Sequence, residues 1–122
     1  VQSPERTAAG AAAPVATEAA PYLVVRPLPG GRGVRIAGEV VLTTRTVWAD
    51  ALAGAVGADR CAYVLELSEV SFVDVAGAEA LAVAAGRLES GRRMVLHNPP
   101  RTLSRVLEMY WPGLPGIEVP TP

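Results

Sequence analysis

The stretch Tyr63–Gly77 reads YVLELSEVSFVDVAG. With Cys61 and Ala62 before it, its first half (CAYVLEL, Cys61–Leu67) is almost continuously apolar. A run that short predicts a strand, and its unbroken apolarity predicts burial on both faces in a parallel sheet. Ser68–Val75 then predicts a loop. Beyond Asp74 the period changes. Leu81, Ala84 and Leu88 share one face of a predicted helix over Val75–Ser90, which Gly91 ends. Strand, loop and helix in that order form the repeating unit of an α/β sheet.

Working outward, the same alternation continues on both sides. Tyr22–Arg26 and Val34–Val40 read as strands joined by the turn residues Leu28–Gly33, an antiparallel hairpin. Thr43–Val56 reads as a helix capped by Thr43 or Thr44, with Trp48, Ala51, Leu52 and Ala55 on its inner face. Toward the C-terminus, Met94–His97 is a short strand. Asn98 is placed as an N-cap and Pro99 at the first helical position. Leu103, Val106, Leu107 and Tyr110 follow helical spacing until Pro112, and Ile117–Val119 is a last edge strand. The fold class is therefore α/β, in the order β-β-α-β-α-β-α-β. The expected sheet is mainly parallel, of four to five strands, with an N-terminal antiparallel hairpin. Residues 1–20 are Ala/Pro-rich and predict a disordered tail, leaving 21–122 as one domain. The loops leaving strands for helices share one sheet edge, where function usually sits in open α/β folds.

Composition narrows the chemistry. The net charge is −1 and all 11 basic residues are Arg, so the basic excess of a nucleic-acid binder is missing. One Cys and one His exclude a disulfide framework and a Cys/His metal cluster. No apolar run is long enough for membrane insertion. No G-x-S-x-G elbow, P-loop or H-E-x-x-H pattern is present. These observations predict a non-enzyme without a cofactor, located in the cytoplasm.

Three segments together carry a resemblance. They are Ile36–Val40 (IAGEV), Tyr63–Gly77, and Gly91–Val106 (GRRMVLHNPPRTLSRV). In this order they resemble the STAS domain family of anti-sigma factor antagonists. That family carries a G-E-L-D stretch, a strand ending L-D-L-S, an F-x-D-S-S-G loop opening a helix, and a later V-x-N-P turn. Leu96–Glu118, with its paired prolines and YWPG, is also similar to STAS domains attached to MEDS sensory domains in actinobacteria. The resemblance implies a protein partner of the anti-sigma factor or serine kinase type and a role in transcription regulation. In the family, the first Ser of D-S-S-G is phosphorylated by that kinase, which sets negative charge beside the partner surface. Here Asp74 and Gly77 match the motif, but its two Ser positions are Val75 and Ala76. Val41 stands where G-E-L-D has Asp. The family's phospho-switch is therefore expected to be absent, with Ser68, Ser71, Thr43 and Thr44 as substitute acceptors near the same edge.

Candidate partner contacts follow from that edge. They are Ser71, Asp74, Val75, Ala76 and Gly77 in the loop, and Gly38, Glu39 and Val41 beside it. Glu79, Ala82, Val83 and Gly86, with Ser90, are the expected outward stripe of the following helix; such a small, weakly charged stripe fits a docking face or an alanine-rich helix surface equally. Asp74 either contacts a partner or caps the helix. Gly38 and Gly77 either admit a ligand or serve tight packing. Glu66 and His97 read as strand-end residues satisfied locally, and Cys61 as a small core residue. Arg101, Arg105 and Glu108 read as a solvated face. An alternative is a ligand-sensing or transporter-accessory STAS domain that binds a nucleotide or a lipid-transport partner.

Overall fold

The computed structural model describes residues 20–120. The expected tail, Ala20 apart, lies outside the described residues. The elements are β1 (Leu23–Pro27), β2 (Gly33–Val40), α1 (Arg45–Gly57), β3 (Ala62–Val73), α2 (Val75–Gly86), β4 (Arg93–His97), α3 (Arg101–Tyr110) and β5 (Ile117–Glu118). Short 3-10 turns occupy Pro29–Gly31 and Leu42–Thr44. The five strands form one sheet in the order β1-β2-β3-β4-β5. Among the described residues only the β1–β2 pair is antiparallel.

That order explains where the core sits. Each parallel crossover steps to the next strand in the same direction, so right-handed connections put all three helices on one face. Ile36, Val40, Leu65, Leu67, Met94 and Leu96 point to that face and are fully buried. They meet Trp48, Leu52, Leu81 and Leu103 from the helices in one cluster. The alternate positions Arg35, Glu66, Arg93 and His97 lie on the opposite, solvent-facing side and are exposed or half-buried. The predicted burial of the central strand on both faces is thus corrected: its apolar run is covered from one side only.

β3 also runs six residues past the predicted end at Leu67, to Val73. The expected loop Ser68–Val75 is mostly strand. Its core-facing residues are Leu65, Leu67, Val70 and Val73, so spacing widens from two to three after Leu67. Register shifts against β2 mark these places. Bulges of this kind break the period-2 pattern while the ladder continues, which is why the sequence read as a loop. α2 stops at Gly86, short of Ser90. The Arg87 and Leu88 N–H groups tighten onto Ala84 and Ala85, closing the last turn. α3 starts after both prolines. Asn98 has φ 55, and Pro100, not Asn98, occupies the cap position. A residue before proline is pushed out of the helical region, so Pro99 cannot open the helix ahead of Pro100. Tyr110 at the end of α3 and Cys61 before β3 are exposed, not in the core.

Candidate functional site

Val40, Val73 and the start of β1 end at one edge of the sheet, where α1 and α2 begin. The β2–α1 connection is held by Thr44. Its hydroxyl donates to the Glu39 carbonyl at 2.6 Å and accepts from the Val41 N–H at 3.0 Å. Thr44 is buried and occupies the N-cap position of α1, but it makes no cap bond to that helix. Its hydroxyl locks the turn by bonding in both directions. Thr43, Ser68 and Ser71 are exposed. The lock leaves Leu42 at the turn's apex with 74% of its surface in solvent.

Asp74 is the sole residue between β3 and α2. Its N–H donates to the Val40 carbonyl at 3.0 Å. Its Oδ1 accepts from the Gly77 N–H at 2.7 Å, a true N-cap. Its Oδ2 lies 3.6 Å from Nη2 of Arg45, the first residue of α1. The Nε of Arg45 is buried without a hydrogen-bond partner among the described residues. Arg45 thus holds a loose ion pair and an unsatisfied donor at the junction of the two helices.

Gly77 is fixed by packing. A Cβ there would lie 2.7 Å from Val40 Cγ1 and 2.9 Å from Val73 Cγ1. Its carbonyl accepts from the Trp48 indole N–H at 2.9 Å. Gly38 is required differently: its φ is +125, and a Cβ would lie 2.0 Å from the Tyr22 carbonyl oxygen. Both glycines serve close approach of backbone within the fold.

The predicted loop residues come together. Ser71 Oγ reaches the Gly38 carbonyl at 3.4 Å, and Glu39 pairs with Phe72 across β2 and β3. Asp74, Ala76 and Val41 are half-buried, while Val75 is 54% exposed. On α2, Glu79, Val83 and Gly86 are exposed as expected. Ala82 is not: it is buried. α2 is the middle helix, packed on α1 and on α3, which leaves it a narrower crest than helical periodicity predicts. A groove of about 560 Å³ runs between α1 and α2, lined mainly by Ala49, Ala53, Val56, Ala80 and Val83, with Arg45, Glu79 and Arg87 also on its walls.

Sequence reasoning read the lost polarity of this edge at Val41, Val75 and Ala76 but missed its other apolar residues. Tyr22 and Phe72, on the open sheet face, are exposed there together with Leu42 and Val75. Each stands alone in sequence, so only the topology assembles them. Glu66 and His97 form a separate polar group on the open face. Their side chains are 3.8 Å apart, and Glu66 accepts from the Ser68 N–H at 2.8 Å. Burial pushes the Glu66 carboxyl up. The Ser68 N–H and hydroxyl, the Asn98 amide and His97 outweigh it and hold the carboxyl below its usual range. No helix among the described residues is long and apolar enough to cross a membrane.

Comparison with known proteins agrees with this fold. A family model described as "Mlab, STAS domain" matches residues 28–111. A solved structure of the anti-sigma factor antagonist SpoIIAA in its unphosphorylated form is similar at a TM-score of 0.56 and 21% identity. The match covers 80% of this chain and 89% of that one. A search of curated protein sequences finds no match.

Proposed function

The chain belongs to the STAS domain family, and from that premise we propose that it is a non-catalytic docking module of the anti-sigma factor antagonist kind. It engages a protein partner at the edge where α1 and α2 begin. The partner is of the anti-sigma factor or serine kinase type, and docking regulates transcription in the cytoplasm. The observation that carries this reading is the apolar rim of that edge. Val75 stands exposed at the first position of α2, where the family's motif has a phosphorylatable Ser, and Leu42 stands exposed beside the start of α1. A hydroxyl there would make the contact switchable by charge. A valine makes it apolar, and burying it stabilises a complex by roughly 1.5–3 kcal/mol if enclosed fully. Docking is thus constitutive, with no phosphate at position 75 to end it.

Titration against anti-sigma kinases from the same organism tests the reading. Val75→Asp and Leu42→Asp each place a charge in the apolar contact. Each is expected to weaken binding at least tenfold, equivalent to ~1.4 kcal/mol, without changing thermal stability. Binding that is indifferent to both substitutions excludes this edge as the contact.

A further inference from the structure

Because α2 lies between α1 and α3, only a narrow crest of it reaches solvent: Val75, Glu79, Val83, Gly86 and Arg87. The charges on this crest are few and symmetric in sequence. Glu79 lies four residues before Val83, and Arg87 four after. Neither has a salt-bridge or side-chain hydrogen-bond partner among the described residues. Eight residues apart, with Arg87 at the cap that closes α2, they do not pair with each other.

This pattern is complementary to itself. Two copies of α2 laid antiparallel about a two-fold axis through Val83 bring each Glu79 opposite Arg87 of the second copy. The same axis sets Val83 against its own copy. In an isologous interface, residue i contacts j and j contacts i, and the Glu79–Arg87 pair obeys that rule with opposite charges meeting. We propose that the α2 crest is the interface of a homodimer, with a second copy of this chain as its occupant.

Two local features fit that occupant. Val83 is 49% exposed at the middle of the crest, where its own copy would cover it. Gly86 has no internal need to be glycine: a Cβ there would meet nothing within 4 Å. Its bare surface lets the backbone of the second copy's helix approach closely. A crest one helix wide covers less than the ~1,200 Å² typical of stable interfaces, so the dimer is a weak one. If the edge also docks a partner as proposed above, pairing and docking compete for α2. That consequence rests on the docking reading, whereas the dimer itself is measured on the full chain alone.

Sedimentation velocity from low-micromolar to near-millimolar protein provides the test. The wild-type average mass is expected to rise toward twice the monomer. Glu79→Arg and Arg87→Glu, both at exposed positions, each leave a monomer, because like charges then meet. The double reversal Glu79→Arg/Arg87→Glu restores association. In a Cys61→Ser background, Val83→Cys forms a disulfide with its own copy under mild oxidation. Glu79→Cys does not, since its two copies lie ~12 Å apart along the helices, beyond disulfide reach. A wild type that stays monomeric throughout, single reversals that still dimerise, or a double reversal that does not recover overturns the proposal.

Discussion

At the scale of single residues, the edge is built by side chains whose jobs are exclusive. Gly77 packs where a methyl group would press on Val40 and Val73, and its carbonyl receives the Trp48 indole. Gly77→Ala is therefore expected to destabilise the fold by about 1–3 kcal/mol through overpacking, read as a lower urea midpoint with an unchanged slope. Glu66 supplies a pH dependence. Its carboxyl is held below its usual range in the folded state, so its stabilisation is fully present above the ordinary glutamate pKa. It is lost as pH falls through the lowered value. Glu66→Gln should be less stable than wild type at neutral pH, with the gap in unfolding midpoint closing in acid. A gap that widens in acid contradicts the assigned sign. The absence of hydroxyls at Val75 and Ala76 and the cap at Asp74 were legible in the sequence, because both depend on residue type at a known turn. Arg45, Leu42, Tyr22 and Phe72 were not. Their place at the edge comes from elements far apart in the chain, and no local pattern marks them.

At the scale of elements, periodicity located each strand and α-helix among the described residues and failed at their ends. It missed the extension of β3 because two bulges change the inward spacing from two residues to three. It overran α2 because Leu88 keeps the helical interval after the helix has ended. It placed Ala82 outward because one buried stripe was assumed, whereas a helix with neighbours on both sides buries more than one. α1 offers a direct check on how far its surface serves its own fold. Gly54 lies in the middle of this helix, is exposed, and a Cβ there would meet nothing within 4 Å. Gly54→Ala should raise stability by roughly 0.5–1 kcal/mol, because alanine loses less conformational freedom on folding. A rise of a few degrees in Tm is the expected readout. A drop would mean that the bare surface at Gly54 is needed within the monomer.

At the scale of the whole molecule, the one-directional order of strands divides the surface. All three helices cover one face of the sheet, and the other face presents Arg35, Glu66, Arg93 and His97 to solvent. Between the faces runs the edge where β1 begins, β2 and β3 end, and α1 and α2 start. There two polar side chains turn inward: Thr44 into its turn, Asp74 onto the Gly77 N–H. The apolar Leu42 and Val75 turn outward. Such an arrangement suits a contact that stays made and gives a kinase nothing to modify at position 75. The central claim is that docking is independent of phosphorylation there. It is tested most directly by measuring affinity for the cognate kinase before and after incubation with ATP, for the wild type and for Val75→Ser. The wild type should bind equally in both conditions and carry no label within Asp74–Gly77, while Val75→Ser should be labelled and released. A wild type that is phosphorylated along this edge and released by ATP would contradict the account.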